Sequence, residues 1–535
     1  MPSLSSCGRF LRRSIVADRL PWIWSVERLA LTGCLLATAF SLPTCAQQLP
    51  GQRSLDDSSQ SQSALVVAAA MEQVVEEAIA RAGASVVAIS RERIDAPSRS
   101  VANDEEMFFP MVRRFRRAWG GANEVPWMSI PSHFAAGVII SRDGSILTTY
   151  DAIDDPQKHR YTVWYRGEEL QIQRLPATVQ ASDPWTDLAV LKVDAEGLTA
   201  MPMGDADRLR VGSFVVTLGN PYAIARDGFP SASWGIVSNL QRVGRPVDPQ
   251  SRGPISEPES LQEFQTLIQV DTRLNLGTSG GALINLRGEL VGITTALAAS
   301  SGYEQSAGYA IPIDDAMRAA VATMEGGRLP SFGFLGIMPA DDLSPMHQAA
   351  GLRGAVVRSV VPGLPADKAG LGSGDLILSV NGRPVDSGFS LVGQLSRLPA
   401  GSPVTMTVLQ EGRRSTSQVT AQLGKKLVST SRPGYARLPP RSWRGMQVDT
   451  STAQSAERFF SRRAENPPTD VMVVRVDLDS PGERAGMRMR YYIDTVDGVA
   501  ARDPDHFYEL VEGKQGPVEL GIYIDGRWQK VVIEP

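Results

Sequence analysis

Apolar residues in this chain fall mostly into short runs separated by turn residues such as Asp143-Gly144, a pattern typical of β-strands. A close succession of these runs between residues 85 and 294 predicts a β-barrel or sandwich of about 240 residues. The predicted strands cover residues 85–90, 137–141, 146–149, 161–165, 188–193, 213–218, 235–239, 268–270, 282–284 and 289–294.

Helical spacing occurs on either side of this β-region. Apolar residues three and four apart predict a helix over residues 64–81, and a second helix over 313–324 closes the unit. The Ser/Gln-rich residues 47–63 predict a linker, so residues 47–75 are assigned to linker and N-terminal helix. Residues 91–132 show no period and predict a long loop, whose arginine cluster is expected to be solvated.

The C-terminal third of the chain contains an internal repeat. Residues 365–371 and 380–382 recur at 481–487 and 496–498, and each matched residue lies 116 positions after its partner. A constant offset across two separate anchors indicates two copies of one small domain. We assign the copies to residues 331–425 and 442–535, joined by a linker over 426–441.

The N-terminal residues have the composition of a signal peptide. Arginines precede an apolar run from Leu29 to Leu42, and small residues follow before Gln47, so residues 1–46 are predicted to be removed on export. The alternative is an uncleaved membrane anchor, although the run is shorter than the roughly 20 residues that a spanning helix needs. All three cysteines lie in this segment, so the exported chain would have no disulfide.

Charge and motif spacing exclude several classes of function. The formal net charge is −4 and becomes −7 when the signal peptide is removed, which gives no reason to expect nucleic acid as a partner. We find no spacing of metal ligands and expect no metal and no cofactor. Because of the predicted signal peptide, the expected location is the periplasm or cell envelope, and no nucleic acid is expected as a partner.

One short motif points to nucleophilic catalysis. Residues 277–281, Gly-Thr-Ser-Gly-Gly, fit the pattern G-x-S-x-G, which in an α/β-hydrolase lies between a strand and a helix. Here the flanking residues predict a strand hairpin with no helix, which argues against that fold. The serine therefore belongs to another architecture.

The wider pattern resembles the HtrA (Deg) family of trypsin-fold serine proteases. Residues 268–294 are similar to that family's serine loop, residues 183–192 to its triad-aspartate segment, and the two repeats to PDZ domains. Further segments match in the family's order: 219–221, 234–238 and 308–312. The resemblance implies a mainly β fold, with a trypsin-like double β-barrel over 76–326 followed by two PDZ-like domains, and a homotrimer.

The resemblance also assigns roles to individual residues. Ser279 would be the nucleophile, Asp187 the carboxylate that orients the base, and Gly277, Thr278 and Ser279 the oxyanion loop. Asp151 stands where the family has its catalytic histidine, and the chain has four histidines in all. They are His133, His159, His347 and His506.

The replacement of histidine by aspartate predicts an inactive or strongly impaired protease. A carboxylate with an ordinary pKa near ~4 is a weaker base than imidazole, and a second nearby carboxylate competes with it for ionisation. The favoured interpretation is a quality-control protein that binds unfolded or C-terminal peptides of exported proteins. The alternatives are an active serine endopeptidase that degrades misfolded envelope proteins, and a non-catalytic envelope scaffold.

The PDZ-like repeats supply the candidate peptide sites. Such domains take an extended peptide as an added strand and hold its carboxylate on backbone N–H groups. The corresponding loops are Phe334, Leu335, Gly336 and Ile337 in the first copy and Trp443, Arg444, Gly445 and Met446 in the second. The second copy has seven additional residues after its loop and Arg490-Tyr491 in place of Gly374-Asp375, so its pattern is weaker.

Overall fold

A computed structural model describes most of the chain beyond the N-terminal segment. The predicted signal peptide, most of the 91–132 loop and its arginine cluster lie outside the described residues. The described residues are 56–94, 133–166, 171–220, 230–243, 260–272, 274, 277–295, 308–340, 343, 345–349, 351–428, 432–453, 467–524 and 526–535.

Six antiparallel strands close into a first barrel. The ring order is β1-β2-β3-β6-β5-β4, and β4 returns to pair with β1. Its core consists of aliphatic side chains and tyrosines that alternate inward along the strands. The strands are β1 (Val86–Arg93), β2 (His133–Ile139), β3 (Ser145–Thr149), β4 (His159–Arg166), β5 (Ile172–Asp183) and β6 (Leu188–Val193).

A second closed barrel follows in the order β10-β11-β12-β9-β8-β7. Together the two barrels form the predicted trypsin-like double barrel, which confirms the fold class. The strands are β7 (Phe214–Gly219), β8 (Ser231–Arg242), β9 (Leu267–Val270), β10 (Ala282–Asn285), β11 (Leu290–Thr295) and β12 (Gly308–Pro312).

Two helices flank the barrels. Helix α1 (Asp56–Gly83) begins eight residues before its predicted start, because helix extends at little cost once the apolar turns of residues 64–81 have nucleated it. The short α2 (Tyr150–Ile153) follows β3, and α3 (Asp315–Glu325) closes the double barrel as predicted. Ala78 and Ala82 are buried in the core cluster that also holds Trp185.

Both repeats fold into sheets with the same strand order, as expected of PDZ domains. The first runs β14-β15-β16-β18-β19 with β17 paired to β16, and the second runs β22-β23-β24-β26-β27 with β25 paired to β24. The elements of the first repeat are β13 (Gly333–Phe334), β14 (Ile337–Ala340), α4 (Pro345–Ala349), β15 (Ala355–Val360), α5 (Pro365–Lys368), β16 (Leu376–Val380), β17 (Arg383–Pro384), α6 (Gly388–Leu395), β18 (Pro403–Leu409), β19 (Ser417–Gln422) and β20 (Gly424–Lys425). Those of the second are β22 (Met446–Thr450), β23 (Val471–Val476), α7 (Pro481–Arg484), β24 (Tyr492–Val496), β25 (Val499–Ala500), α8 (Pro504–Val511), β26 (Val518–Ile524) and β27 (Arg527–Ile533).

The first repeat packs directly on the double barrel. Trp185, fully buried, donates its indole N–H to the Ser396 carbonyl at 3.1 Å and packs against Phe332 with ring centroids 6.3 Å apart. Asp314, which caps α3, forms ion pairs with Arg397 at 2.5 Å and with Arg383 at 3.2 Å. The contact is therefore both apolar and ionic.

The segment between the repeats is partly structured. Two residues of the predicted 426–441 linker form strand β21 (Tyr435–Ala436), which pairs with Ala181 and Ser182 on β5. Within the described residues, no helix is long and apolar enough to cross a membrane.

Candidate active site

Ser279 lies in a turn that is fixed to both barrels. Its carbonyl accepts a hydrogen bond from the Ala136 N–H of the first barrel at 2.9 Å, while the Gly280 N–H donates to the Thr294 carbonyl of the second at 2.8 Å. Gly280 has φ +84°, and a Cβ there would lie 2.2 Å from the Ala136 carbonyl oxygen. Only glycine fits, because both the backbone conformation and the space exclude a side chain.

The predicted oxyanion loop leaves two amides available. Among the described residues, the N–H groups of Gly277 and Ser279 donate no hydrogen bond to the protein. The Thr278 carbonyl accepts from the Thr294 hydroxyl at 2.6 Å and from the Gly281 N–H at 3.0 Å, which fixes the loop. Such free amides beside a serine can stabilise a developing oxyanion.

Asp187 is a buried carboxyl group with one satisfied oxygen. Its Oδ2 accepts from Gln262 Nε2 at 2.9 Å and from Thr295 Oγ1 at 3.2 Å. Its Oδ1 has no hydrogen-bond partner among the described residues. Burial, followed by repulsion from the Asp151 carboxylate, raises the pKa of Asp187 to about 7. In a serine-protease triad this carboxylate accepts the imidazole N–H.

The segment that carries Asp151 adjoins both Ser279 and Asp187. The Thr149 and Ser279 hydroxyl oxygens lie 3.3 Å apart, and the Tyr150 N–H donates to the Asp187 carbonyl at 3.0 Å. The structure therefore brings the segments of the three predicted residues together. Asp151 itself points to a different partner, since its Oδ1 accepts from Arg432 Nη1 at 2.7 Å.

Arg432 belongs to the segment between the repeats and was not predicted as a site residue. Besides its ion pair with Asp151, its guanidinium lies 4.9 Å from the centre of the Tyr150 ring, and the Tyr150 hydroxyl donates to the Pro433 carbonyl at 3.0 Å. Farther along, the Arg437 N–H donates to Gln180 and the Leu438 N–H to Gly327. We call residues 432–438 the strap, since they follow the barrel surface beside Asp151.

The described histidines offer no replacement base. His159 Nδ1 lies 2.9 Å from the Asp155 carbonyl oxygen, while His347 and His506 belong to the two repeats. His133 pairs through its backbone with Arg91 of β1, and its side chain lies outside the described part of the chain. Within the described part, no three His, Cys, Asp or Glu side chains are grouped as a bound metal ion would require.

The two predicted carboxylate loops lie at the same place in their repeats. In the first, the Gly336 carbonyl accepts from the Val361 N–H at 3.0 Å; in the second, the Gly445 carbonyl accepts from the Asp477 N–H at 2.8 Å. The Leu335 and Arg444 carbonyls also accept equivalent bonds, from Ala366 and Gly482. The alignment of the loops is therefore the one that the sequence indicated.

The loops differ in how they fold. In the first repeat, Gly336 has φ +82° and Phe334 pairs with Gly424 on a separate short strand. In the second, Arg444 and Gly445 both have positive φ, and Trp443 and Met446 exchange two backbone hydrogen bonds of 2.8 and 2.9 Å. That is the hydrogen-bonded pair of a two-residue β-hairpin.

Family models match both parts of the architecture. A model described as a trypsin-like peptidase domain matches residues 135–293, and one described as a PDZ domain matches residues 333–421.

Curated proteins similar to this chain include bacterial periplasmic serine endoproteases. The DegP protein of Escherichia coli (strain K12) is 32% identical over 408 residues, which cover 75% of this chain and 76% of that protein. DegP of Salmonella typhimurium is 31% identical over 354 residues, 65% of this chain and 66% of that protein, so this chain spans just under two thirds of its length. The solved structure of the HtrA-type protease AlgW with decapeptide is 27% identical and covers 65% of this chain and 98% of that chain, with a TM-score of 0.41.

Proposed function

The chain belongs to the HtrA family of trypsin-like serine proteases with PDZ domains, and we propose that it is an exported quality-control protein whose own proteolysis is impaired. It would bind unfolded or C-terminal peptides of exported proteins through its first PDZ domain. The domain limits, the cleaved signal peptide, a periplasmic location and a homotrimer are part of this proposal, supported by the relatives' periplasmic names and by resemblance.

The observation that carries the proposal is that Asp187 Oδ1 has no hydrogen-bond partner in the described part of the chain. A triad base would donate its N–H to this oxygen, yet Asp151 is paired with Arg432 instead. Among the described residues, the Asp151 carboxylate is thus bound to a guanidinium and forms no hydrogen bond with the Ser279 hydroxyl or with Asp187 Oδ1. Among the residues that the structure describes, the Ser279 hydroxyl is left with the Thr149 hydroxyl as a side-chain partner, and a hydroxyl cannot act as a base at neutral pH.

The nucleophile side favours the alternative, an active endopeptidase. The free amides of Gly277 and Ser279 would still support oxyanion formation, and removal of one triad member leaves about 10³–10⁴-fold catalysis over water. Residual labelling of Ser279 by a reactive probe is therefore compatible with the proposal, whereas multiple-turnover cleavage is not.

The test is fluorophosphonate labelling and casein cleavage by the purified full chain, with Ser279→Ala as the control. We expect no casein cleavage by the unaltered chain. Asp151→His should raise the labelling rate about 100-fold, because imidazole can bond Asp187 Oδ1 and take the serine proton.

Two results would contradict the proposal that the missing base alone impairs the site. Cleavage of casein by the unaltered chain, abolished in Ser279→Ala, would establish the endopeptidase alternative. No increase in labelling for Asp151→His, with unchanged thermal unfolding, would show that the site lacks more than its base.

A further inference from the structure

We propose that the peptide groove of the second PDZ domain is occupied by this chain's own residues 441–443, and that this contact holds the strap beside Asp151. The proposal rests on the proposed function only in treating the surroundings of Asp151 as a functional site. It assigns the second PDZ domain a resident ligand, namely the last residue of the linker, Arg441, and the first two residues of the domain itself, Ser442 and Trp443.

A peptide that enters a PDZ groove adds to the free edge of one strand. In the second domain that strand is β22, whose other edge pairs with β23. On the outward edge, the Met446 N–H donates to the Trp443 carbonyl at 2.9 Å, and the Met446 carbonyl accepts from the Trp443 N–H at 2.8 Å. The Ser442 hydroxyl donates a third hydrogen bond to the Met446 carbonyl, at 3.3 Å. The backbone groups that would pair with the last residue of a peptide are therefore already satisfied.

The next outward position of β22 is also closed. The Val448 N–H donates to the Tyr508 hydroxyl at 3.1 Å, and that hydroxyl donates to the Arg441 carbonyl at 2.7 Å. The Tyr508 ring comes from α8, the helix that forms the opposite wall of the groove. Helix, linker and strand are thus joined across the place where a ligand strand would lie.

Arg444, at the tip of the Trp443–Met446 hairpin, stabilises it by side-chain hydrogen bonds. Its guanidinium donates to the carbonyls of Ile533, Gly516 and Lys514, and it lies 4.7 Å from the centre of the Trp443 ring. Trp443 in turn packs edge-on against Phe507, with centroids 6.0 Å apart. Opening the loop for a peptide carboxylate would break all these contacts together.

The first PDZ domain has different residues at the positions that close the groove of the second. The equivalents of Val448 and Tyr508 are Pro339 and Val392, as the repeat offsets and the strand registers place them. This pair cannot form the cross-groove hydrogen bond, because proline has no backbone N–H to donate and valine has no hydroxyl to accept it. The closure is therefore specific to the second domain.

The occupied groove lies next to the strap along the chain. Arg441 follows Leu438 by three residues, and Leu438 is itself bonded to Gly327. Fixing residues 441–443 restricts the freedom of residues 432–438, which lowers the entropic cost of the Arg432–Asp151 contact. Release of the groove should therefore loosen the strap.

The test is amide hydrogen exchange of the full chain, comparing the unaltered protein with Tyr508→Phe. Without any added peptide, the Val448 amide should exchange slowly. Tyr508→Phe should raise its exchange about fivefold, as expected for loss of one neutral hydrogen bond, and should also raise exchange in residues 434–438. Tyr523→Phe, on β26 beside Trp528, is the matched control and should change neither.

A second variant, Arg444→Gly, keeps the proposal testable if Tyr508→Phe does not fold. Arg444→Gly keeps the positive φ but removes the guanidinium contacts, and it should raise exchange at Met446 and Val448. Fast exchange at Val448 in the unaltered chain would overturn the occupied groove. A change confined to β22, with residues 434–438 unaffected in both variants, would overturn the link to the strap.

Peptide stoichiometry separates this inference from the proposed function. A fluorescein-labelled decapeptide ending in Val-Val-Leu should bind at one site per chain. Two sites per chain would overturn the inference. No binding, together with slow exchange at Val448, would contradict the proposed function while supporting the occupied groove.

Discussion

The candidate site has a nucleophile side, the turn of Ser279, and a base side, the segment of Asp151. The two sides are in hydrogen-bond contact through Thr149 and Ser279, yet they are held in place by different interactions. Ser279 lies in a turn fixed by backbone bonds to both barrels, in a space that admits no side chain at Gly280. Asp151 is half exposed, and its carboxylate is bound by an arginine from a segment 281 positions away in sequence.

This difference indicates which part of a catalytic site can change without loss of the fold. The serine turn contributes to the joint between the barrels, so it is retained for packing whether or not the serine reacts. The base position lies in the short helix α2 at the surface, where an aspartate and an arginine can replace an imidazole without a buried cavity. We expect the effects of substitution to follow the same division.

The largest effect should come from Gly280→Ala on the nucleophile side. The added methyl would lie 2.2 Å from the Ala136 oxygen and 2.3 Å from the Thr148 hydroxyl oxygen, at a φ that favours glycine. We expect a loss of about 3 kcal/mol in the free energy of unfolding, measured by urea denaturation.

Gly212→Ala is the control for backbone strain alone. Gly212 has a similar φ of +89°, and no atom lies within 4 Å of the position of its added Cβ. The expected loss is about 1 kcal/mol. Equal losses in the two variants would mean that the serine turn is no more constrained than an open surface turn.

The next effect concerns the pH dependence of stability through Asp187. Its pKa is about 7 in the folded chain and near ~4 when unfolded, so the folded state binds more protons between these pH values. Stability from this group is therefore fully present below about pH 4 and is lost as pH rises towards about 7. Asp187→Asn should flatten that part of the curve of thermal midpoint against pH.

Asp183 provides an internal reference for this measurement. Burial raises its pKa to about 6, and it remains in the Asp187→Asn variant, so a smaller slope should persist. Parallel curves for the two proteins between pH 4 and pH 8 would contradict a protonated Asp187.

The smallest effect should follow Arg432→Ala on the base side. The ion pair with Asp151 is partly exposed, and such pairs contribute at most about 1 kcal/mol. The arginine also lowers the pKa of Asp187, so its removal should move the midpoint of that titration to higher pH. Lys530→Ala, which removes an exposed pair with Glu519, should leave that midpoint unchanged; an equal shift would contradict the assignment.

Much of the fold followed from the sequence, because the short apolar runs mark strands that bury one face. Strand β5 was missed, since four of its first six residues are exposed and Pro176 interrupts the apolar pattern, and the two residues of β21 are too few to form a pattern. The matching loops of the two PDZ domains were predicted from their glycines, Gly336 and Gly445, which both require positive φ.

The candidate site could be predicted only in part. The resemblance placed Asp151, Asp187 and Ser279 in one site, and their segments do adjoin. The partners Gln262, Thr295 and Arg432 lie on elements distant in sequence, and no periodicity marks a side chain whose role is a single hydrogen bond. Tyr508 was missed for the same reason, since a tyrosine on an amphipathic helix indicates packing.

Trp185 shows that the core of the protease-fold unit includes residues of the first PDZ domain. Two residues before the candidate triad acid, this side chain is covered by Phe332 and bonded to Ser396, both from beyond residue 326. A chain cut after residue 326 would lose both contacts and expose part of the indole. The first PDZ domain thus covers part of the core next to the candidate site, and the protease-fold unit and the PDZ domain cannot be regarded as interchangeable modules.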